Sequence, residues 1–335
     1  MKLLVLGGSR FVGRHIVQAA LQAGDEVTVF NRGQSGTGLF ADVRQLIGDR
    51  RGDLSALASG QWDAVIDTCG YLPGEVRAST AALAGRVQRY AFISTISVYA
   101  SFAAPNHEGS PLGQTDTPGT TTVDANTYGP LKALCEQAVT DAFGDAALII
   151  RPGLVVGPHD PTQRFTYWPA RVERASDFDP ILAPGAPEDP IQCIDVRDLA
   201  AFTLHALRTG ASGGAFNAAS APGQFSIGAL LASCAAATSR QPRFVWADSE
   251  ALAEHGIAAW TDMPVWAAPA GDTAGLALTD TARAQAAGLA IRPLLQTVLD
   301  TLQWLHSLPA AERAITKAGL SAEREAAVLA AAGIE

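Results

Sequence analysis

The stretch LLVLGGSRFVGRHIV, residues 3–17, places glycines between an apolar run and a helical pattern. Leu3–Leu6 predicts a short buried strand, and the residues after the glycines predict a helix. Gly7 permits a tight turn, Gly13 permits close packing of helix and strand, and the helix N-terminus offers free N–H groups to a pyrophosphate. The stretch therefore predicts the first unit of a dinucleotide-binding domain.

Alternating strands and helices follow this unit. Short apolar runs predict strands, and the segments between them predict helices over Gly13–Ala23 and Val76–Ala84. Such alternation predicts an α/β fold of Rossmann type, a doubly wound parallel sheet with a smaller C-terminal substrate-binding lobe. We expect residues 1–151 and 190–219 to form the sheet domain, and 152–189 and 220–335 the lobe. The strand candidates are Lys2–Leu6, Glu26–Phe30, Ala64–Asp67, Tyr90–Ser94 and Ala147–Ile150.

Composition excludes several classes of function. The 335 residues are 48% hydrophobic and 17% charged, with a net charge of −9, which is typical of a globular protein and disfavours nucleic-acid binding. The four cysteines form no CxxC pair, so we expect neither a disulfide framework nor a metal site. No apolar run is long enough for a membrane span. We expect a cytoplasmic protein with a small-molecule substrate.

The residues after the second predicted strand bear on the choice of cofactor. An NAD site favours an acid there for the ribose 2′-hydroxyl, whereas this chain has Asn31 and Arg32. Arg10, in the glycine turn, is able to reach the same place. Two arginines without an acid favour the 2′-phosphate of NADP over NAD, unless both side chains simply point into water.

Two further segments are expected near the cofactor. Asp49 and Arg50 follow the third predicted strand, where the adenine edge would lie; Asp49 either accepts from the adenine amino group or caps the next segment. The small residues after the fourth strand lie where backbone must pass close to the cofactor; they are Thr68, Cys69 and Gly70.

A tyrosine and a lysine provide the candidate chemistry. Tyr128 and Lys132 are four residues apart, which places both on one face of a helix. Pro130 is compatible only with a first turn, so we expect the helix to begin near Thr127. An ammonium beside a phenol lowers the pKa of the phenol, so Tyr128 is a candidate acid/base. A preceding strand ends in hydroxyl groups that can orient a substrate oxygen: Ser94, Thr95 and Ser97.

These motifs together resemble an extended short-chain dehydrogenase/reductase of the NAD-dependent epimerase/dehydratase family. The resemblance is carried, in family order, by GGSRFVG (7–13), GDR (48–50), FISTISVY (92–99), YGPLK (128–132), RPGLVVGP (151–158) and IDVRDLA (194–200). It implies that Thr95 is the catalytic hydroxyl, that Tyr128 is the general acid/base, and that Lys132 binds the nicotinamide ribose and depresses the tyrosine pKa. It also implies a backbone segment against the nicotinamide, from Pro152 to Val155, and a pyrophosphate turn comprising Gly7, Ser9, Arg10, Phe11, Val12 and Gly13.

The chain departs from that family at informative positions. Dehydratases of sugar nucleotides carry Asp-Glu directly after the catalytic threonine, whereas this chain has Ile96 and Ser97. The family's middle turn glycine is Arg10, and the asparagine expected near residue 155 in nucleotide-sugar enzymes is absent. These departures disfavour a dehydratase and weaken the expectation of a nucleotide-diphosphate substrate.

Residues after the RPGLVVGP segment are candidates for the substrate site. His159, Arg164, Tyr167 and Trp168 combine aromatic walls with a cation, and with Ser97 they are suited to a sugar-like or aromatic molecule. Tyr167 and Trp168 are equally suited to ordinary packing between lobes. We expect one of three further tryptophans to line the mouth of the site: Trp246, Trp260 or Trp266.

The sequence thus supports an NAD(P)-dependent oxidoreductase or epimerase that moves a hydride at a secondary alcohol or ketone, possible as a homodimer. A ketone that stays bound and is reduced from its other face gives epimerisation; one that leaves gives net oxidation or reduction. The alternatives are an NADPH-dependent reductase of a natural-product ketone and, in another class, a nucleotide-sensing or RNA-binding protein on the same scaffold.

Overall fold

The computed structural model describes residues 1–36, 38–211, 213–331 and 333, which form an α/β fold. The strands are β1 Lys2–Leu6, β2 Glu26–Asn31, β3 Arg44–Ile47, β4 Trp62–Asp67, β5 Val87–Ile93, β6 Ala147–Pro152, β7 Leu154–Val156, β8 Pro180–Pro184, β9 Pro190–Ile191, β10 Cys193–Asp195, β11 Gly214–Ala218, β12 Phe225–Ser226 and β13 Arg243–Ala247. The helices are α1 Phe11–Gln22, α2 Pro73–Leu83, α3 Tyr128–Phe143, α4 Arg164–Glu173, α5 Val196–Arg208, α6 Ile227–Thr238, α7 Ser249–Glu254, α8 Ala282–Ala286, α9 Leu294–Ser307 and α10 Ala322–Ala331.

Seven of the described strands form one parallel sheet in the order β11-β6-β5-β4-β1-β2-β3. The order reverses between β1 and β4, where Leu3–Leu6 pairs with Ala64–Asp67. Such a switch point is where ligands bind in open α/β sheets. The predicted Rossmann-type doubly wound sheet is therefore confirmed, and the predicted strands and helices lie within three residues of the observed ones.

Apolar layers cover both faces of this sheet. On one face α1 and α5 pack through residues such as Ile16, Val17 and Phe202. On the other face α2 and α3 pack through residues such as Val76 and Val139. Because both faces are buried, the strands are apolar along their whole length, and only their ends are free to carry polar groups.

A second core belongs to the smaller lobe, around α4, α6 and α9, with Trp168 and Trp266 at its centre. The segment 190–219 returns to the main sheet, since β11 pairs with β6 and α5 packs on the sheet. Within the expected lobe, Ala284 and Leu289 instead pack against the sheet core. In the part of the chain described here, no helix combines the length and hydropathy that crossing a membrane requires.

The glycine turn after β1 is packed too closely for larger residues. A Cβ on Gly7 would lie 2.4 Å from the Thr68 hydroxyl, and Gly7 has a φ of +105°. A Cβ on Gly13 would lie 2.6 Å from the backbone nitrogen of Gly8. Since the neighbour of Gly13 is backbone, it cannot move aside without shifting the turn.

We predict that Gly13→Ala lowers the free energy of unfolding by about 1–3 kcal/mol, because the added methyl group overpacks the turn. Chemical denaturation measures the change. Gly74→Ala is the matched control, since that glycine lies in the first turn of α2 with no atom within 4 Å of the added Cβ. Equal stability of the two variants would contradict the close packing.

Candidate active site

The start of α1 provides the backbone groups that a pyrophosphate requires. Arg10 is the N-cap residue but its side chain makes no capping hydrogen bond, and the first turn contains no acidic residue. The first N–H groups of α1 therefore have no side-chain acceptor, and the helix dipole favours an anion there. Together with the glycines of the turn, this arrangement fits a dinucleotide.

The segment after β2 folds against the glycine turn. The hydroxyl groups of Ser9 and Ser35 are 2.9 Å apart, and the side-chain oxygen of Asn31 accepts from the Gly33 N–H at 2.7 Å. Arg10 and Arg32 flank this contact; both are exposed, and neither guanidinium has a hydrogen-bond or ion-pair partner among the described residues. The fold thus brings the two predicted cations to one edge of the sheet. Ser35 is an addition that the sequence did not single out.

Asp49 and Arg50 have structural partners. The Asp49 carboxylate accepts from the Arg51 N–H at 3.0 Å, so it stabilises its own turn, which is one of the two predicted roles. Arg50 forms a bidentate pair with buried Asp67 at 2.8 and 2.9 Å. Arg50 is therefore used inside the protein and not at an adenine edge, because Asp67 at the end of β4 needs a counter-ion. That pairing lowers the pKa of Asp67 against the opposing effect of its burial.

The small residues after β4 pack directly on the glycine turn. Thr68 donates to the Leu6 carbonyl at 2.9 Å, and the Asp67 carboxylate accepts from the Cys69 N–H at 3.1 Å. A Cβ on Gly70 would lie 2.6 Å from the Phe92 ring. The loop is thus held in place at the switch point, as its small residues predict.

The candidate acid/base lies beside the strand-end hydroxyl groups. α3 begins at Tyr128 with Thr127 as its N-cap, which confirms the predicted start. The Thr95 hydroxyl faces the Tyr128 phenol and acts to lower its pKa. Thr95 also donates to the Ser97 hydroxyl at 3.1 Å. A Cβ on Gly129 would lie 2.0 Å from the Ser97 carbonyl oxygen, so only glycine allows this approach of α3.

Lys132 is buried below the tyrosine, one helical turn along. Its ammonium donates to the carbonyl of Gly70 at 2.9 Å and to that of Ile93 at 2.7 Å, and it lies 4.0 Å from the centre of the Phe92 ring. Burial lowers its pKa to about 8. An ammonium has three donors, so one remains for another acceptor.

The structure corrects the expected effect of Lys132 on Tyr128. Burial raises the pKa of Tyr128 to about 12; the Tyr71 phenol also raises it, and the Thr95 hydroxyl opposes both. The lysine charge is directed at two backbone carbonyls instead. Tyr71, which the sequence did not single out, has its ring 6.4 Å from the Tyr128 ring.

Ser94 is used in a buried network behind the site. Its hydroxyl donates to Glu136 at 2.5 Å, and Glu136 pairs with Arg151 at 2.6 Å. The hydroxyl is thus directed at Glu136 and away from the predicted cofactor side. This network joins α3 to β5 and β6, which fixes the helix that carries Tyr128.

The segment predicted to face the nicotinamide lies next to the same hydroxyl groups. Pro152 ends β6 and Val155 lies in β7. Between them, a Cβ on Gly153 would lie 3.9 Å from the Ile96 side chain. Residues 152–155 therefore run alongside the segment that begins at Thr95.

The candidate substrate residues separate into different places. Tyr167 and Trp168 are 2% and 0% exposed and belong to the core of the smaller lobe, so they are not substrate walls. The reason is that the apolar face of α4 points into that core. His159 packs on His15 and Trp304, with ring centroids 5.7 and 5.2 Å away.

A cleft opens between the sheet domain and the smaller lobe. It encloses about 430 Å³, and Ile96, Leu154 and Trp260 are among its walls. The prediction that one of three tryptophans lines the site is thus confirmed for Trp260. Arg164 stacks on the Trp260 ring, with its guanidinium 5.6 Å from the ring centre.

Comparison with known proteins supports the same family. Residues 72–219 match the model of the NAD dependent epimerase/dehydratase family. This match confirms the resemblance seen in the sequence, and with it the expectation of an enzyme of the short-chain dehydrogenase/reductase type. Among curated proteins no relative matches significantly.

Solved structures show the same fold at low sequence identity. WbmH from Bordetella bronchiseptica, in complex with NAD+, is 17% identical with a TM-score of 0.66, over 91% of this chain and 98% of its own. UDP-glucuronic acid 4-epimerase from Bacillus cereus, in complex with NAD, is 16% identical with a TM-score of 0.63, over 91% and 98%. A UDP-glucose 4-epimerase is 17% identical with a TM-score of 0.66, over 92% and 99%.

The raised pKa of Tyr128 predicts that its phenol stays protonated near neutral pH. The difference in phenolate absorbance between the wild type and Tyr128→Phe measures this ionisation. We expect no Tyr128-dependent signal below about pH 10, the ordinary value for a tyrosine. A Tyr128-dependent signal between about pH 7 and 9 would show instead that Lys132 activates the phenol.

A second prediction concerns His159. Burial, with Arg14 and His15 nearby, lowers its pKa to about 4 from an unfolded value of 6.5. Between these values the unfolded chain binds more protons, so the free energy of unfolding falls as the pH falls through this window. We expect His159→Gln to weaken this pH dependence, measured by denaturation. Exposed His255→Gln is the control; the same slope in both variants would refute the prediction.

Proposed function

We propose, from the family match over residues 72–219 and the geometry of the site, that the chain is an NAD(P)-dependent oxidoreductase or epimerase. The reaction is reversible hydride transfer at a secondary alcohol or ketone. One observation carries the proposal: Thr95, Tyr128 and Lys132 meet at the carboxyl ends of β4 and β5, beside the uncapped start of α1.

Each residue has a distinct role in this proposal. The bound nicotinamide supplies or accepts the hydride. Thr95 holds the reacting oxygen, and Tyr128 gives its proton to that oxygen in reduction or takes one in oxidation. Because the Tyr128 pKa is high, the phenol is in the correct form to donate near neutral pH. The third donor of Lys132 is available for a ribose hydroxyl, the role that the resemblance implies.

NADP is the proposed cofactor, with NAD as the alternative. The exposed guanidinium groups of Arg10 and Arg32 flank the Ser9–Ser35 contact and suit a 2′-phosphate. NAD is the dinucleotide in the complexes of WbmH and of the Bacillus cereus epimerase. The two cofactors therefore need a direct comparison.

We predict that Tyr128→Phe lowers turnover by about 10²–10⁴-fold, because the proton donor is lost, while cofactor affinity stays nearly unchanged. Turnover is followed by NADPH oxidation with a panel of ketones, and affinity by titration. The matched control is Tyr167→Phe, the same change within the core of the smaller lobe. Undiminished turnover in Tyr128→Phe would refute the role of the phenol.

Arg32→Ala is predicted to weaken NADPH binding by about tenfold or more, since it removes a charge-assisted hydrogen bond, and to leave NADH binding unchanged. Titration of both cofactors measures the difference. Arg44→Ala is the control, because this exposed arginine lies at the opposite end of its strand. Equal wild-type affinity for NADH and NADPH would refute the proposed preference.

The remaining alternatives differ in simple observations. Nicotinamide retained through purification favours an epimerase, and turnover with added NADPH favours a reductase. Cofactor binding without turnover by any substrate favours a nucleotide-sensing protein. The homodimer and the cytoplasmic location stay predictions.

A further inference from the structure

The cleft between the sheet domain and the smaller lobe continues directly from the proposed reaction centre. Ile96 follows Thr95 in the chain, and Leu154 lies inside the segment 152–155; both are walls of the cleft. A carbonyl group at Thr95 therefore places the rest of its molecule in this cleft. The volume of about 430 Å³ is within the range for small ligands.

The walls of the cleft are apolar. They include the side chains of Leu154, Val265, Leu276 and the Trp260 ring, and no described lining residue carries a charge. An anion placed here would lose its hydration without gaining a counter-ion, which is costly.

The polar side chains in the walls are already bonded within the protein. The Gln192 amide group donates to the Ser220 carbonyl at 2.7 Å and to the Thr279 carbonyl at 2.8 Å, and its oxygen accepts from the Thr279 N–H at 3.1 Å. The Thr273 hydroxyl donates to the Ala268 carbonyl at 2.6 Å. These groups hold the walls together and leave little to bind the hydroxyl groups of a sugar.

One cation touches the wall from outside. Arg164 stacks on the Trp260 ring but does not line the cleft itself. A single guanidinium on an aromatic face does not match the two phosphates of a nucleotide sugar, which require several charge-assisted hydrogen bonds. The charge distribution thus disfavours that class of substrate.

We propose that the substrate is a small, uncharged and predominantly apolar ketone, or the corresponding secondary alcohol, rather than a nucleotide-diphosphate sugar. This inference rests on the proposed function. In reduction the ketone carbon accepts a hydride from the reduced nicotinamide and the ketone oxygen accepts the Tyr128 proton. The products are the secondary alcohol, the oxidised nicotinamide and a phenolate that regains a proton from water.

The test measures binding to the enzyme saturated with NADP+, so it does not depend on turnover. Calorimetry with cyclohexyl phenyl ketone and, separately, with UDP-glucose compares the two classes. We expect the ketone to bind and UDP-glucose to give no heat. Binding of UDP-glucose alone, or of neither compound, would overturn the proposed substrate class.

Two variants locate the binding in the cleft. Ala274→Phe fills it, and Leu154→Asp places a charge in its wall; each is expected to weaken ketone binding by about tenfold or more. The control Leu295→Asp changes an exposed position on α9. Unchanged NADP+ affinity verifies that Ala274→Phe is folded, even if Leu154→Asp is not. Unaltered ketone binding in folded Ala274→Phe would refute the cleft as the site.

Failure of this inference and failure of the proposed function give different results. If NADP+ binds and Tyr128→Phe abolishes the turnover of UDP-sugars, the function stands and the substrate class falls. If NADP+ does not bind at all, both fall.

Discussion

The buried ammonium of Lys132 is the contact on which the geometry of the site depends. Its hydrogen bonds to Gly70 and Ile93 join α3 to the loop after β4 and to the end of β5. Hydrogen bonds from a charged donor contribute about 1.5–3 kcal/mol each, and a lysine buried without them would not keep its charge. The same lysine therefore holds the tyrosine helix against the carboxyl edge of the sheet.

Two other features complete this attachment. The Ser94–Glu136–Arg151 network ties α3 to the strands on either side, and Gly129 lets the first turn of α3 lie against the Ser97 carbonyl. The phenol, the Thr95 hydroxyl and the glycine turn thus share one edge of the sheet. The chemistry follows from where the strands end and not from a separate scaffold.

The fold was predictable from the sequence because its signals are local. Alternating apolar runs specify the strands, and the glycines after β1 specify the close turn. The start of α3 was predictable from Pro130. By contrast, the partners of Arg50 and Ser94 were not, since Asp67 and Glu136 are distant in sequence. The burial of Tyr167 and Trp168 depends on which face of α4 points inward, and the high pKa of Tyr128 depends on its burial. Both are consequences of tertiary packing.

The most direct measurement follows the hydride itself. Enzyme supplied with NADPH deuterated at the transferring position is incubated with cyclohexyl phenyl ketone, and the alcohol is analysed for its label. The account predicts deuterium on the carbinol carbon from the wild type and no labelled product from Tyr128→Phe. Bound NADPH without transfer in the wild type, or equal transfer in both proteins, would contradict it.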